Sequence, residues 1–203
     1  MQNFSFSTEK NLESFLKQKK FKKIFILCGK KSFTKSGAKK MITKYLKDKI
    51  VKYYFKQSPF PEINEAKKIN LYLKKFGPDL MIAIGGGSVL DYAKVANIIL
   101  SVDNLEKKII NLSYPIKQKI TKLLAIPTTS GSGAEVTSSV VIYINKIKYS
   151  LESPVIKPDF FFLIPELVIS ASKKIKSSSG FDAIAQAVES LISKKSNFQS
   201  MRY

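Results

Sequence analysis

Residues 79–91, DLMIAIGGGSVLD, constrain this chain more than any other stretch of it. Leu80–Ile84 form an unbroken apolar run of strand length. Gly85, Gly86 and Gly87 then remove three side chains in a row. Val89, Ala93, Ala96 and Leu100 follow at helical spacing. Such a strand, bare turn and helix recur along the chain. Ile24–Cys28 read as a buried strand ending at Gly29, and Ala38, Met41, Ile42, Tyr45 and Leu46 make one helix face. Ile50–Phe55 form a second strand. Pro59 and Pro61 then break the chain before a helix striped with Ile63, Ala66, Ile69, Leu73 and Phe76, which Gly77-Pro78 ends. Leu123–Ile126 are another short strand, stopped by Pro127. The alternation predicts an α/β fold, a Rossmann-like parallel sheet with helices on both faces. Beyond Thr137 the pattern changes: Val140–Ile144, Tyr149–Leu151 and Phe160–Ile164 read as further strands, and an alanine-rich helix begins at about Ser178.

The glycine turn has two readings. Three residues without Cβ let backbone N–H groups approach a ligand, and the helix start turns its unpaired N–H groups and positive end to the same point. That suits a pyrophosphate, with Ser88 capping the helix or donating to a phosphate oxygen and Asp91 in the first turn. The alternative is a tight turn with no ligand. A second run, AIPTTSGSGAEVT at 125–137, holds five hydroxyl residues and two glycines in thirteen positions. Hydroxyls there can reach phosphate, ribose or a nicotinamide amide. The other reading is a polar loop with a helix N-cap.

Composition narrows the class. The formal net charge is +20, which fits a nucleic-acid or anionic-membrane binder. Yet Arg202 is the only arginine among 35 basic residues, and the lysines are spread along the chain. Base readout leans on arginine forks, and Ile, Asn, Phe and Lys are all plentiful, so an AT-rich coding bias is the better account, and no specific nucleic-acid partner is expected. No apolar run is long enough to cross a bilayer, so no membrane partner is expected. The N-terminal residues lack an apolar signal core, and Cys28 is the sole cysteine; together these point to a reducing cytoplasm.

In this order and spacing, GGGSVLDYAK and IPTTSGSGAEVT resemble the nucleotide-site signatures of iron-containing (group III) alcohol dehydrogenases, and SSGFDAIAQAVES resembles that family's metal-helix motif. The likeness runs from about Lys22 to Tyr203. It implies a dinucleotide-binding α/β domain over residues 1–177 and, over 178–203, the start of a helical metal and substrate domain. That second domain is expected to be truncated, because Met201-Arg202-Tyr203 reads as an interrupted helix. The implied activity is hydride transfer between NAD(P)H and an alcohol or aldehyde carbon of a small molecule. A divalent metal, iron or zinc, is implied for the complete protein, and a homodimer is a form relatives often take. No residue stands out as a general acid or base.

Carried over by position, Gly85, Gly86, Gly87 and Ser88 fall at the pyrophosphate. Thr128 and Thr129 fall on the adenosine and ribose side, and Ser130 and Ser132 nearer the nicotinamide. Lys148 matches a lysine that reaches the nucleotide, or is one more surface lysine. NAD-preferring relatives can carry an aspartate at the position of Lys30. Gly29, Lys30 and Ser32 leave room and positive charge instead, which favours NADP over NAD. Asp182 matches a metal ligand, and Gln186 stands where a histidine ligand is usual. The chain contains no histidine, and one carboxylate with one neutral amide is a poor divalent site. A solvated polar face is therefore an equal reading of Asp182, Gln186 and Glu189. The glutamine, with KYSLESP and PDF upstream, resembles a branch that includes phosphonoacetaldehyde reductases. Leu163-Ile164-Pro165 departs from the family, where aspartate commonly precedes the proline. The other function left open is a non-catalytic nucleotide-binding or scaffold protein, complete at 203 residues.

Overall fold

The computed structural model describes residues 7–99, 104–194 and 196–198. The elements run α1 (Glu9–Gln18), β1 (Lys23–Gly29), α2 (Lys30–Lys35), α3 (Ala38–Thr43), β2 (Ile50–Lys56), α4 (Ile63–Phe76), β3 (Leu80–Gly85) and α5 (Gly87–Ile98). Then follow α6 (Leu105–Ile110), β4 (Lys122–Pro127), β5 (Ser139–Ile144), β6 (Ile147–Glu152), β7 (Phe160–Phe161), α7 (Glu166–Ile169) and α8 (Lys173–Ile192). Five strands form one parallel sheet in the order β2-β1-β3-β4-β7. β5 and β6 pair antiparallel as a separate hairpin.

The central strands are apolar at nearly every position because both sheet faces are covered. From β1, Phe25 and Leu27 join one core with α4, α5 and the hairpin, while Ile24, Ile26 and Cys28 join a second core with α1, α2 and α3. The period-2 alternation of a strand divides a continuous apolar run between two layers. Consequently α2, leaving β1, and α5, leaving β3, pack on opposite faces although β1 and β3 are neighbours. Their divergence opens a crevice at the carboxyl ends of the strands. Register levels these ends: Gly29 pairs with Lys56, Cys28 with Ile84, and Gly85 with Pro127.

Several boundaries differ from the sequence reading. Residues 30–35 after β1 form a short helix that the sequence reading did not place. α3 stops at Thr43, so Tyr45 and Leu46 lie beyond it, although Leu46 is still buried. β7 keeps only Phe160 and Phe161, because the chain turns away into α7. The last helix starts at Lys173, capped by the Ser172 hydroxyl, which accepts from the Ile175 N–H. It ends at Ile192; Met201, Arg202 and Tyr203 lie outside the described residues. The stripe of Phe181, Ala185, Val188 and Ile192 does not face a core: no residue of α8 is buried, and Phe181 is 74% and Ile192 78% exposed. α1 went unread in the sequence. Its Thr8–Asn11 capping box and the buried Leu12 and Leu16 hold it against the sheet.

Two measurements test this packing. Ile82 sits mid-strand between Ile26 and Leu124 with no exposed surface, so Ile82→Ala is expected to cost about 2–5 kcal/mol in urea unfolding. A cost under about 1 kcal/mol would contradict a close-packed core at that point. The outward apolar face of α8 is expected to enhance the fluorescence of a hydrophobic dye, and Phe181→Glu with Val188→Glu to reduce that signal. Unchanged fluorescence would place this face elsewhere.

Candidate functional site

The two glycine-bearing runs meet at the top of β3 and β4. The Thr128 N–H donates to the Gly85 carbonyl at 3.0 Å, joining the start of one loop to the end of the other strand. A Cβ on Gly86 would lie 3.0 Å from Thr129 Oγ1, and one on Gly87 would lie 2.8 Å from Ser132 Oγ. A Cβ on Gly85 would come within 2.5 Å of Val89 Cγ2. So the three glycines do more than bare the backbone: two let the hydroxyl loop settle on the turn, and one lets α5 start directly after β3. Gly86 is the N-cap of α5, and no side chain caps it. The first N–H groups of this helix have no intrahelical acceptor, as at any helix start. Ser88 does not cap, contrary to one sequence expectation. Its Oγ donates instead to the Pro59 carbonyl at 2.7 Å.

That bond ties α5 to the strap between β2 and α4. Glu65, buried on α4, accepts from the Gln57 N–H at 2.6 Å and the Ser58 N–H at 2.9 Å. The Tyr92 hydroxyl lies 2.7 Å from Glu65 Oε2 and 2.6 Å from the Phe60 carbonyl, and accepts from the Glu62 N–H at 3.0 Å. Burial is the first cause that raises the Tyr92 phenol, with its Glu65 hydrogen bond second. Neither Glu65 nor Tyr92 was singled out from sequence. A glutamate at the start of a helix after Pro-x-Pro reads as ordinary dipole complementation.

On the β1 side of the crevice, Ser32 Oγ donates to the Gly29 carbonyl at 3.2 Å, and Lys30 opens α2 with its side chain exposed. On the β4 side lies a cavity of about 450 Å³ whose lining includes Asp91, Ser132, Thr137, Lys148, Asp182 and Gln186. Asp91 is the fifth residue of α5, beyond the first turn in which sequence reading placed it, and its side chain faces the hairpin. Burial raises its carboxyl to about 6, opposed by the ammonium groups of Lys94 and Lys148 and by the Val141 N–H. Lys94 is fully buried and donates to the Thr137 carbonyl at 3.0 Å, Thr137 Oγ1 at 2.9 Å and the Ser139 carbonyl at 3.0 Å. Burial brings its ammonium down to about 8. This lysine stitches α5 to the end of the hydroxyl loop.

The structure thus brings Gly85–Ser88 together with Thr128, Thr129 and Ser132, and groups Lys148 with Asp91, Asp182 and Gln186. Thr128 is only 4% exposed. Ser130 opens onto a separate, smaller cavity beside Leu163, Ile164 and Pro165. Asp182, Gln186 and Glu189 of α8 are solvent-exposed and line the rim of the larger cavity together with Ala185. The α8 backbone approaches closely enough that a Cβ on Gly131 would lie 2.6 Å from the Ser179 carbonyl oxygen. These donors do not fit a divalent metal unaided. Among the described residues no three His, Cys, Asp or Glu side chains gather, and the Lys148 ammonium shares the cavity.

The raised Asp91 carboxyl carries a pH signature. Its folded value lies above the unfolded value near 3.8, so its stabilising contribution is complete below that pH and is lost as pH rises through about 6. Asp91→Asn, neutral throughout, is expected to flatten the fall in unfolding free energy between about pH 4 and about pH 7. Denaturant melts at both values check this, and an unchanged slope would mean the carboxyl is solvated.

Comparisons with known proteins agree with this fold. The family model for iron-containing alcohol dehydrogenase matches residues 3–165. An alcohol dehydrogenase of Thermococcus barophilus is 35% identical over 135 residues, covering 64% of this chain and 36% of the relative. An NADPH-dependent butanol dehydrogenase of Clostridium saccharobutylicum is 33% identical over 185 residues, 87% of this chain and 47% of the relative. Among solved structures, the iron-containing alcohol dehydrogenase of Thermococcus thioreducens superposes with a TM-score of 0.83 at 26% identity, covering 98% of this chain and 54% of that one. Sulfoacetaldehyde reductase of Bifidobacterium kashiwanohense, solved with NAD+, gives a TM-score of 0.82 at 26% identity, over 94% of this chain and 51% of that one. The chain therefore spans roughly half the length of such relatives or less. With its parallel sheet, glycine turn and hydroxyl loop, it belongs to the iron-containing alcohol dehydrogenase family.

Proposed function

We propose that this chain is the nucleotide-binding half of an NAD(P)H-dependent alcohol dehydrogenase or aldehyde reductase, and that it takes NADP(H) in preference to NAD(H). The observation that carries the reading is the crevice between Gly29 and Gly85–Ser88, where α2 and α5 leave neighbouring strands on opposite faces. N–H groups at the start of α5, at Gly86, Gly87 and Ser88, receive the pyrophosphate, and the helix dipole favours its charge. Adenosine lies towards Gly29, Lys30 and Ser32. The nicotinamide lies towards Ser132 and the cavity lined by Asp91 and Lys148. Thr129 and Ser132 flank the turn, while buried Thr128 supports it from beneath. A nicotinamide bound there would supply hydride to a carbonyl carbon, or take it from a carbinol carbon. This chain's residues orient the ring and exclude water from it.

A metal remains part of the reading for a protein of the relatives' length, with Asp182 as one ligand and Gln186 as a weak one. Since the donors present do not hold it alone, no step is assigned to it, and the 203-residue chain is expected to bind nucleotide without turnover. A substrate with an anionic tail, such as the phosphonate of phosphonoacetaldehyde, is a second reading. It is favoured by Lys148 in the cavity and by the likeness to the sulfoacetaldehyde reductase.

Titration of the purified chain with NADPH and NADH, followed by nicotinamide fluorescence, tests the first reading. Saturable binding with tighter NADPH and no alcohol oxidation is the expected result; no binding of either coenzyme by folded protein refutes it. For the substrate, a protein of the relatives' length should reduce phosphonoacetaldehyde with higher kcat/KM than butyraldehyde. Equal or better rates on butyraldehyde remove the phosphonate.

A further inference from the structure

Lys56 was not among the sequence candidates, yet it occupies the crevice. It is the last residue of β2 and pairs in register with Gly29. Its Cε lies 4.0 Å from the point where a Cβ on Gly29 would sit, and Ser32 Oγ is 2.8 Å from that same point. The half-buried ammonium donates to the Ser58 carbonyl at 2.8 Å and, at 3.3 Å, to the Pro59 carbonyl. Pro59 O is the same atom that accepts from Ser88 Oγ at 2.7 Å. One carbonyl therefore links this lysine to the serine of the glycine turn.

We propose that Lys56 binds the 2′-phosphate of NADP(H) and is the main specificity-determining residue of the crevice. The inference rests on the nucleotide reading above and adds to it the group that selects the coenzyme. An ammonium has three N–H donors, and the strap carbonyls take two of them at Lys56. The third is left for a ligand. Among the described residues, the carboxylate acting on this ammonium is Glu65 on α4, which is already filled by the Gln57 and Ser58 N–H groups and lies against the Tyr92 hydroxyl. Burial lowers the Lys56 ammonium, so a dianion at that place relieves a charge that desolvation disfavours. Position separates the 2′-phosphate from the pyrophosphate. The pyrophosphate belongs to the N–H groups of α5, whereas Lys56 stands one strand further out, past Gly29, where the adenosine ribose leads. Ser32 Oγ lies close to the same point, and its single proton, now given to the Gly29 carbonyl, would have to turn to meet that phosphate. Lys30 is exposed on the surface of α2 and supplies only screened attraction.

The test uses the 203-residue chain and its Lys56→Met and Lys56→Arg variants, titrated with NADP+ and NAD+ and with adenosine 2′,5′-bisphosphate and adenosine 5′-phosphate. The two adenosine probes differ only in the 2′-phosphate. Lys56→Met is expected to weaken NADP+ and the bisphosphate roughly tenfold and to leave NAD+ and the monophosphate within about twofold, with Lys56→Arg retaining most NADP+ affinity. A residue that merely braces the strap would move both members of each pair alike, and such a parallel loss overturns the proposal. So does unchanged NADP+ affinity in Lys56→Met. If the unsubstituted chain binds none of the four probes, the nucleotide reading falls first, and this inference with it.

Discussion

The site depends on the absence of two β-carbons. Thr129 and Ser132 rest on the glycine turn at distances that a Cβ on Gly86 or Gly87 would occupy. Because they fit there, the loop after β4 closes over the loop after β3, and the Thr128 N–H reaches the Gly85 carbonyl. Lys94 then fastens the far end of the hydroxyl loop to the middle of α5. Two segments about forty residues apart in sequence thus become one surface. The glycines also leave N–H groups open beside the hydroxyls, so close packing and anion binding share a single cause.

The sheet supplies the other requirement, a place where ligand can enter. β1 and β3 are neighbours, but their following helices join different hydrophobic cores. Across the crevice the strap from Gln57 to Glu62 stays in place through the Glu65 carboxylate and the Tyr92 hydroxyl rather than through apolar burial. A buried carboxylate that accepts two backbone N–H groups replaces the hydrogen bonds which a loop of this kind would otherwise make to water.

Much of this was legible in the sequence, for identifiable reasons. The strands β1, β3 and β4 were readable because runs buried on both faces are apolar without interruption, and glycine or proline ends each of them. The glycine turn and hydroxyl loop were readable as candidate phosphate contacts because their residue types leave few other uses. α1 was missed because its apolar residues are few and its capping box is closed by Asn11 rather than by an acidic residue. Asp91 was assigned to the helix start on spacing alone. The true start at Gly87 puts it past the first turn, where burial governs its proton instead of the dipole. Glu65, Tyr92 and Lys56 had no local signature. Tyr92 acts through backbone groups brought near by topology, while Glu65 and Lys56 act through the conformation of the neighbouring strap, which residue spacing alone does not specify.

α8 shows where amphipathic reasoning reverses. Its apolar stripe invites burial, yet no residue of the helix is buried, and Phe181, Val188 and Ile192 lie exposed while Asp182, Gln186 and Glu189 line the cavity rim. Burying a large apolar side chain is worth roughly 1.5–3 kcal/mol, so the exposed stripe does nothing to hold the helix where it lies. What fixes it is local and polar. The Ser172 hydroxyl caps its start, and its backbone at Ser179 passes directly over Gly131, at a separation any larger residue there would forbid. The contact that sets the helix is therefore made by the hydroxyl loop itself. The position of Asp182 and Gln186 above the cavity follows from the same loop that closes on the glycine turn, so whatever displaces that loop moves both ends of the site together.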